Sequence, residues 1–381
     1  STANLWFTKF VNAHKSKNTD DKYYDFYSWH PNASTGYSSI TGTGDYYECN
    51  FTGSMPELNF DNPAVRQTVL DIAKYYLSLG VDGFRFDAAK YIYYGDNPAS
   101  ADYWNEFMTE LRGMKADIFT VAEVWDADAV TIGYYPATDC FDFSVSGAEG
   151  KIAAAAKKGD VSIYTAYVEK YLGDIRTARS GAIYMPFISN HDMDRCAGYL
   201  TLASGYMKCA ANILILGPGA PFIYYGEEIG LRGSRGSAST DANRRLAMYW
   251  GDGDTVRDPY GATYGGLLNQ TNGSVAEQTE NPDSLYNHYK KLIMIRKANP
   301  EIARGEYRSL DLTGTKAGGF TASLDGKTVA VIHNTTEHDV TIDLASSGIG
   351  GMAVSAFVGM GDATVSDGVL TLSGQTSVVM R

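Results

Sequence analysis

Val81-Asp82-Gly83-Phe84-Arg85-Phe86-Asp87-Ala88-Ala89-Lys90-Tyr91 reads as a short buried strand that delivers a carboxylate to its C-terminal end. Side chains alternate along a strand, so Gly83, Arg85 and Asp87 share one face while Asp82, Phe84 and Phe86 share the other. Asp87 then stands beside a permanent cation, which favours its ionised form. Taken alone, an Arg-x-Asp run reads as a buried ion pair. The segments around it decide between that reading and a reacting group.

Upstream, Asn62 is a good N-cap and Pro63 suits the first helical position. Val65, Val69, Ile72, Tyr76 and Leu79 follow at spacings of three and four, and Gly80 ends the helix. Downstream, a helix over residues 102–114 precedes the apolar run 118–122, which ends in Glu123. Residues 139–145 read as a further strand. A helix over 162–171 precedes the strand 182–189, which ends in Asn190-His191-Asp192, and a helix over 205–216 precedes 220–225, which ends in Gly226-Glu227-Glu228. Strand and helix alternating with short connections predict an α/β chain with a parallel sheet, closed into a (β/α)8-type TIM barrel if the helices lie on one side. Such a barrel keeps its chemistry at the C-terminal strand ends, where these acids stand.

Three regions follow from the composition. Residues 1–60 are polar and aromatic, with Gly and Ser clusters and little periodicity, and read as an irregular protruding subdomain with a short strand or two. Residues 61–304 carry the strand–helix rhythm, interrupted by a Gly- and Ser-rich loop at 232–240 and closed by a long helix over 284–297. From about residue 305, Thr, Val, Gly and Ser dominate, and short β-type runs predict a small all-β sandwich over 305–381.

The 381 residues allow a large core, and a net charge of -12 argues against nucleic acid or anionic lipid as a partner. No apolar run reaches membrane-spanning length. The chain carries 28 Tyr against 15 Phe, and a ring with an apolar face and a polar tip suits sugars as well as a Tyr-rich core. Cys49, Cys140, Cys196 and Cys209 show no CxxC pair and no zinc-like spacing; their even number permits disulfides without demanding them.

Gly83-Phe84-Arg85-Phe86-Asp87-Ala88-Ala89-Lys90, Ala122-Glu123-Val124-Trp125 and Phe187-Ile188-Ser189-Asn190-His191-Asp192 resemble, in order, three signature segments of the alpha-amylase family of glycoside hydrolases. Met55-Pro56-Glu57-Leu58-Asn59 is similar to the segment before the family's third barrel helix, and residues 217–228 to its eighth barrel strand. The family's first signature, a strand ending in Asp-x-x-x-Asn-His, is absent, and residues 1–7 resemble the text that follows it. The expectation is a family member without barrel strands one to three in this chain, with the missing N-terminal segment as a possible partner.

The resemblance implies roles. Cleavage of a glycosidic bond with retention needs two carboxyl groups roughly 5–5.5 Å apart. Asp87 matches the nucleophile and Glu123 the acid/base, its pKa raised by the apolar strand and Trp125. Asp192 matches the third acid, which holds sugar hydroxyls, and His191 its neighbour on the same ring. Lys90 and Tyr91 match positions on the leaving-group side. Asp241 and Arg245 resemble a pair that grips a sugar two places from the cut, although an i, i+4 ion pair on a helix start fits them too. Arg85 accompanies the nucleophile. Ala88, small where bulkier residues accompany alpha-1,6 specificity, favours alpha-1,4 cleavage. The family also implies structural calcium, without ligands named here.

Three functions stay open: an endo-acting hydrolase of alpha-1,4-glucosidic bonds in starch, glycogen or maltodextrins; a glucanotransferase or alpha-glucosidase of the same family; and a non-catalytic glucan-binding relative or inactive fragment. An alpha-glucan is the expected partner and an extracellular or cell-surface location the expected one, with a cytoplasmic maltodextrin enzyme as the alternative.

Overall fold

Asn4 opens a helix that the sequence reading left irregular. Its side chain accepts a hydrogen bond from the Trp6 amide at 2.8 Å, and helix α1 runs over Leu5–Ser16 to a left-handed Lys17. Phe7, Phe10, Ala13 and His14 recur at helical spacing and are buried. His14 is held at 2.9 Å from Asp45 and 3.0 Å from the Tyr24 carbonyl, and it stacks on Tyr24 at 4.2 Å. Three short strands, β1 (Trp29–His30), β2 (Tyr37–Ser39) and β3 (Tyr46–Glu48), form an antiparallel sheet in the order β1-β3-β2. Phe7, Phe10, Phe26, Tyr27, Ile40, Tyr47 and Val65 make its core.

The computed structural model describes residues 1–159, 161–203, 205–236, 241–263 and 272–381; the end of the expected loop at 232–240 lies outside the described residues. The chain divides into two compact units, Ser1–Val124 with Pro136–Thr138, and Trp125–Tyr135 with Asp139–Arg381.

In the first unit, helix α2 (Pro63–Ser78) starts as its sequence dictates, with Asn62 accepting from the Ala64 amide at 2.8 Å and Pro63 at the first position. Its burial differs from the periodicity. Val65 and Ala73 are buried, whereas Ile72, Tyr75, Tyr76 and Leu79, one face at i, i+3, i+4 and i+7, are exposed. An apolar stripe records that a helix has an apolar face and cannot say whether that face is covered. Strand β4 (Gly83–Phe86), helix α3 (Asn97–Met114) and strand β5 (Phe119–Ala122) follow, with β4 and β5 parallel and Gly83 opposite Phe119. A Cβ on Gly83 would stand 1.7 Å from the Phe119 carbonyl oxygen, so only glycine lets the strands approach this closely. Gly83→Ala is expected to cost about 3 kcal/mol, read as a lowered midpoint in urea unfolding; an unchanged midpoint would contradict this packing.

The second unit contains helix α4 (Asp128–Ile132), strand β6 (Asp139–Asp142), helices α5 (Lys151–Lys158) and α6 (Ser162–Ala178), strand β7 (Met185–Pro186) and helix α7 (Tyr206–Ile215). β6 and β7 are parallel. The strand expected at 220–225 is reduced to a parallel bridge between Phe187 and Phe222, with the Ala220 and Phe222 amides donating to Tyr184 and Pro186 carbonyls at 2.8 and 2.9 Å. Pro186 and Pro221 lack amide protons and interrupt the ladder. Helices α8 (Val275–Glu280), α9 (Leu285–Ala298) and α10 (Pro300–Arg304) complete the helical part.

Strands β8 (Glu306–Ser309), β9 (Gly318–Leu324), β10 (Lys327–Asn334), β11 (Val340–Asp343), β12 (Val354–Gly359), β13 (Ala363–Ser366), β14 (Val369–Leu372) and β15 (Thr376–Met380) build antiparallel sheets in the orders β12-β15-β10-β9-β8 and β11-β14-β13. Ala330, Ile332, Ile342, Leu344, Leu370, Leu372, Val378 and Met380 fill the core of this region. A buried polar chain joins it to the helices. His288 of α9 is 2.7 Å from Asn212 of α7, Asn212 donates to Ser377 of β15 at 3.0 Å, and Ser377 is 2.8 Å from His333 of β10. Burial pushes His288 down to about 4 and His333 to about 3, so both imidazoles are neutral at neutral pH. The architecture is therefore α/β, parallel strands alternating with helices, followed by antiparallel sheets. In neither unit, taken alone, do the described strands close a barrel.

Candidate active site

In the first unit the end of β4 is clamped to the end of β5. The Glu123 amide donates to the Phe86 carbonyl at 2.8 Å, and the Ala89 amide donates to the Glu123 carbonyl at 3.0 Å. Ala88 takes a left-handed conformation, φ 45°, rare for a residue with a Cβ, and turns the chain into a single helical turn at Ala89–Tyr91. Trp104 of α3 fixes that turn by donating to the Ala89 carbonyl at 2.8 Å. A local strain held by surrounding hydrogen bonds is a usual mark of a functional site.

Arg85 bridges the two carboxyl groups. Its Nη1 pairs with Asp87 and its Nη2 donates to Glu123 Oε2 at 2.5 Å. The bridge is lopsided, since the Asp87 side chain is 75% exposed and that of Glu123 only 12%. Burial, and then a hydrogen bond with the Asp87 carboxyl, lift Glu123 above the ordinary carboxylate range against the opposing pull of Arg85. One open carboxylate on a guanidinium, beside one shielded carboxyl inclined to keep its proton, is the division a nucleophile and a general acid require. Lys90 and Tyr91 follow on the turn, with Lys90 Nζ 5.6 Å from the Tyr91 ring centre.

The second unit gathers the remaining candidates after β7. The Asp192 amide donates to Asn190 Oδ1 at 2.9 Å, which bends the chain so that the Asp192 carboxylate stands free of the strand. That carboxylate is 3.1 Å from His191 Nε2 and accepts from Arg245 Nη2 at 2.7 Å. Arg245 also donates to the His191 carbonyl at 3.1 Å, and its contact with Asp241 is longer, 3.5 Å. Asp241 opens a single helical turn, Asp241–Arg244, and not the start of an α-helix. The expected Asp241–Arg245 pair is thus present, with the shorter bond of each going elsewhere.

Asp241 is bonded more closely by Arg244, at 2.9 Å, a residue the sequence reading passed over. Arg244 also donates to Asp194 Oδ1 and to the Asp192 carbonyl, both at 2.8 Å. It therefore holds both sides of the loop that carries Asp192. Two adjacent arginines were visible in the sequence; which of them would lock the loop depends on Asp194, a tertiary neighbour 50 positions away. The Arg244 side chain is 17% exposed and that of Arg245 46%. Arg244→Ala, which leaves two carboxylates short of a cation, is expected to cost about 2 kcal/mol in urea unfolding, and Arg245→Ala under about 1 kcal/mol. Equal losses would contradict the clamp.

Beside this loop is a cavity of about 610 Å³, lined by Trp125, Asp192, Asp194, Arg195, Tyr199 and Arg244 among others. Trp125 lies flat on Phe143, ring centres 4.8 Å apart, and is 46% exposed. Below the loop, the buried Glu227 accepts from Ser189 Oγ at 3.2 Å and from Tyr289 at 3.1 Å, and burial pushes its carboxyl up to about 7. This acid, read from sequence as one more strand end, props the segment leading to Asp192.

Among the described residues no group of three or more His, Cys, Asp or Glu side chains could hold a metal ion. No step below runs through a calcium ion.

Paired strand-end carboxyls bridged by an arginine on an α/β scaffold fit a glycoside-cleaving site. The particular family follows from comparison with known proteins. The family model of the alpha-amylase catalytic domain matches residues 1–305, and the chain belongs to the alpha-amylase family of glycoside hydrolases. Alpha-amylase 3 of Dictyoglomus thermophilum is 33% identical over 344 residues, which is 88% of this chain and 65% of that protein. A 4-alpha-glucanotransferase of Thermotoga neapolitana is 26% identical over 83% of this chain and 66% of its own length. Among solved structures, Eubacterium rectale Amy13B superposes with a TM-score of 0.92 at 30% identity, covering 100% of this chain and 76% of that one. The chain thus spans about two thirds of the length of these curated relatives.

Proposed function

We propose that the protein is a retaining, endo-acting hydrolase of alpha-1,4-glucosidic bonds in starch, glycogen or maltodextrins. The observation that carries this reading is the Arg85 bridge between an open Asp87 and a shielded Glu123 whose carboxyl is lifted by burial. Asp87 attacks the anomeric carbon while Glu123 delivers its proton to the departing oxygen. Glu123, now ionised, then takes a proton from water, which attacks the glycosyl–Asp87 ester and restores both groups. Asp192, with His191 and Arg245 around its carboxylate, serves as the acceptor for sugar hydroxyls. Asp241, Lys90 and Tyr91 are assigned to binding the same chain.

Transfer in place of hydrolysis is the second reading, supported by the glucanotransferase among the relatives. Early products from amylose decide between them. Mixed short oligomers with a fast fall in iodine colour support endo-hydrolysis; products longer than an oligosaccharide substrate would establish transfer, and glucose alone an exo-glucosidase.

A polypeptide segment of the kind the longer relatives carry is part of the proposal, with the exposed Ile72, Tyr75, Tyr76 and Leu79 face of α2 as its seat. Secretion and a structural calcium ion complete it, the latter to be read as a fall in melting temperature on chelation.

A further inference from the structure

The turn that follows Asp87 is gripped by one face of α3. Ser100 and Trp104 stand at i and i+4 on that helix, hence on the same face, and both are buried. The bond from Trp104 to the Ala89 carbonyl is matched by one to the next carbonyl along. The Ser100 hydroxyl lies 3.2 Å from the Lys90 carbonyl and 3.2 Å from that of Tyr93, shares its proton between them, and accepts from the Tyr93 amide at 3.0 Å. The Trp104 ring lies on that of Phe86, the last residue of β4, with ring centres 4.4 Å apart and planes 26° apart. The helix is fixed at its own start, where Asp96 accepts from the Ala99 amide at 3.0 Å. Between the two anchored points, Phe86 and Ala89, lie only Asp87 and the left-handed Ala88. The Ala88 amide is directed at Glu123, 3.4 Å from Oε2.

We propose that Ser100 and Trp104 are positioning residues for the reaction, holding the turn so that Asp87 and Glu123 keep their separate roles. An alanine at φ 45° relaxes toward negative φ unless its neighbours are held. With Ala89 fixed, the φ of Ala88 sets the direction of the Asp87–Ala88 peptide. Releasing the Ala89 and Lys90 carbonyls lets that peptide rotate, which withdraws the Ala88 amide from Glu123 and carries Asp87 away from Arg85. Glu123 is faced by Arg85 and Asp87 from the end of β4 and by that amide. A donor favours the charged carboxylate, so losing it favours the protonated form further. A purely structural role for the two residues would lower stability and leave this balance alone. The inference rests on the reading in which Asp87 and Glu123 react, and adds the residues that set their geometry.

The first test needs no turnover. The Glu123 carboxyl, assigned with Glu123→Gln, is titrated by carbon-13 NMR in the full chain and in Ser100→Ala, Trp104→Phe and Phe107→Leu. Phe107 also packs on Phe86, ring centres 5.9 Å apart, but its ring has no donor for the turn carbonyls, so it controls for lost packing. Ser100→Ala and Trp104→Phe are expected to raise the midpoint by about 0.5 in pH, and Phe107→Leu to leave it in place. In turnover of a maltooligosaccharide the same two variants are expected to lose about tenfold in kcat, with KM within about twofold of the parent. An unmoved midpoint in both, an equal rise in Phe107→Leu, or an unchanged kcat overturns the positioning role. A parent that turns over no maltooligosaccharide overturns the hydrolase reading instead, and the titration keeps the two failures apart.

Discussion

Replacing Asp87 by Asn is expected to lower kcat on maltooligosaccharides by about 10⁴-fold or more while leaving the melting temperature within about 2 °C of the parent. The amide keeps the size and a hydrogen bond for Arg85 but cannot form the glycosyl ester. Stability is expected to hold because the Asp87 side chain is largely in solvent, where an ion pair contributes little. Kinetics with a maltooligosaccharide and a thermal melt check both halves. A variant that retains a tenth of the parent rate would show that Asp87 is an ion-pair residue and that the reacting group lies elsewhere.

Glu123→Gln is expected to lower kcat by about 10³-fold and to remove the alkaline limb of the pH profile. The sign follows from the burial that lifts the Glu123 carboxyl. A general acid must hold its proton, so activity falls as pH rises through the pKa of Glu123; a raised pKa moves that fall toward neutrality. Glutamine cannot titrate, and its residual rate should be flat there. The deficit should shrink for aryl maltosides whose leaving group needs no proton. An unaltered alkaline limb in Glu123→Gln would assign it to another group.

These two carboxyls were legible in sequence because strand alternation and strand-end placement are local properties. Arg85 and Asp87 are two apart, so their pairing required no knowledge of the fold. The start of α2 was legible for the same reason, since Asn62 and Pro63 act on the turn they begin. Helix α1 was not, because its inward face is built from Phe7, Phe10 and His14, residues of modest helix propensity that earn their place only through contacts with Tyr27, Tyr47 and Tyr24. The exposure of the apolar face of α2 was not legible either. Periodicity located Ile72, Tyr76 and Leu79 on one face and could not tell whether that face is covered. Arg244 escaped notice because its partners Asp192 and Asp194 meet it only after the chain has folded back. The cause of the raised Glu123 carboxyl was also only partly legible. Burial was expected, whereas the contribution of Asp87 needed the two strand ends side by side.

The most direct test of the central claim is proton NMR of the first product released from a linear alpha-1,4 maltooligosaccharide. It is run on the 381-residue chain, with Asp87→Asn as control and with an N-terminal segment from one of the longer relatives supplied as a second arm. The account predicts that the alpha anomer appears first, in one arm or both, and that Asp87→Asn abolishes it. The beta anomer appearing first, or no turnover in either arm, would contradict the retaining hydrolase read from Asp87, Glu123 and Arg85.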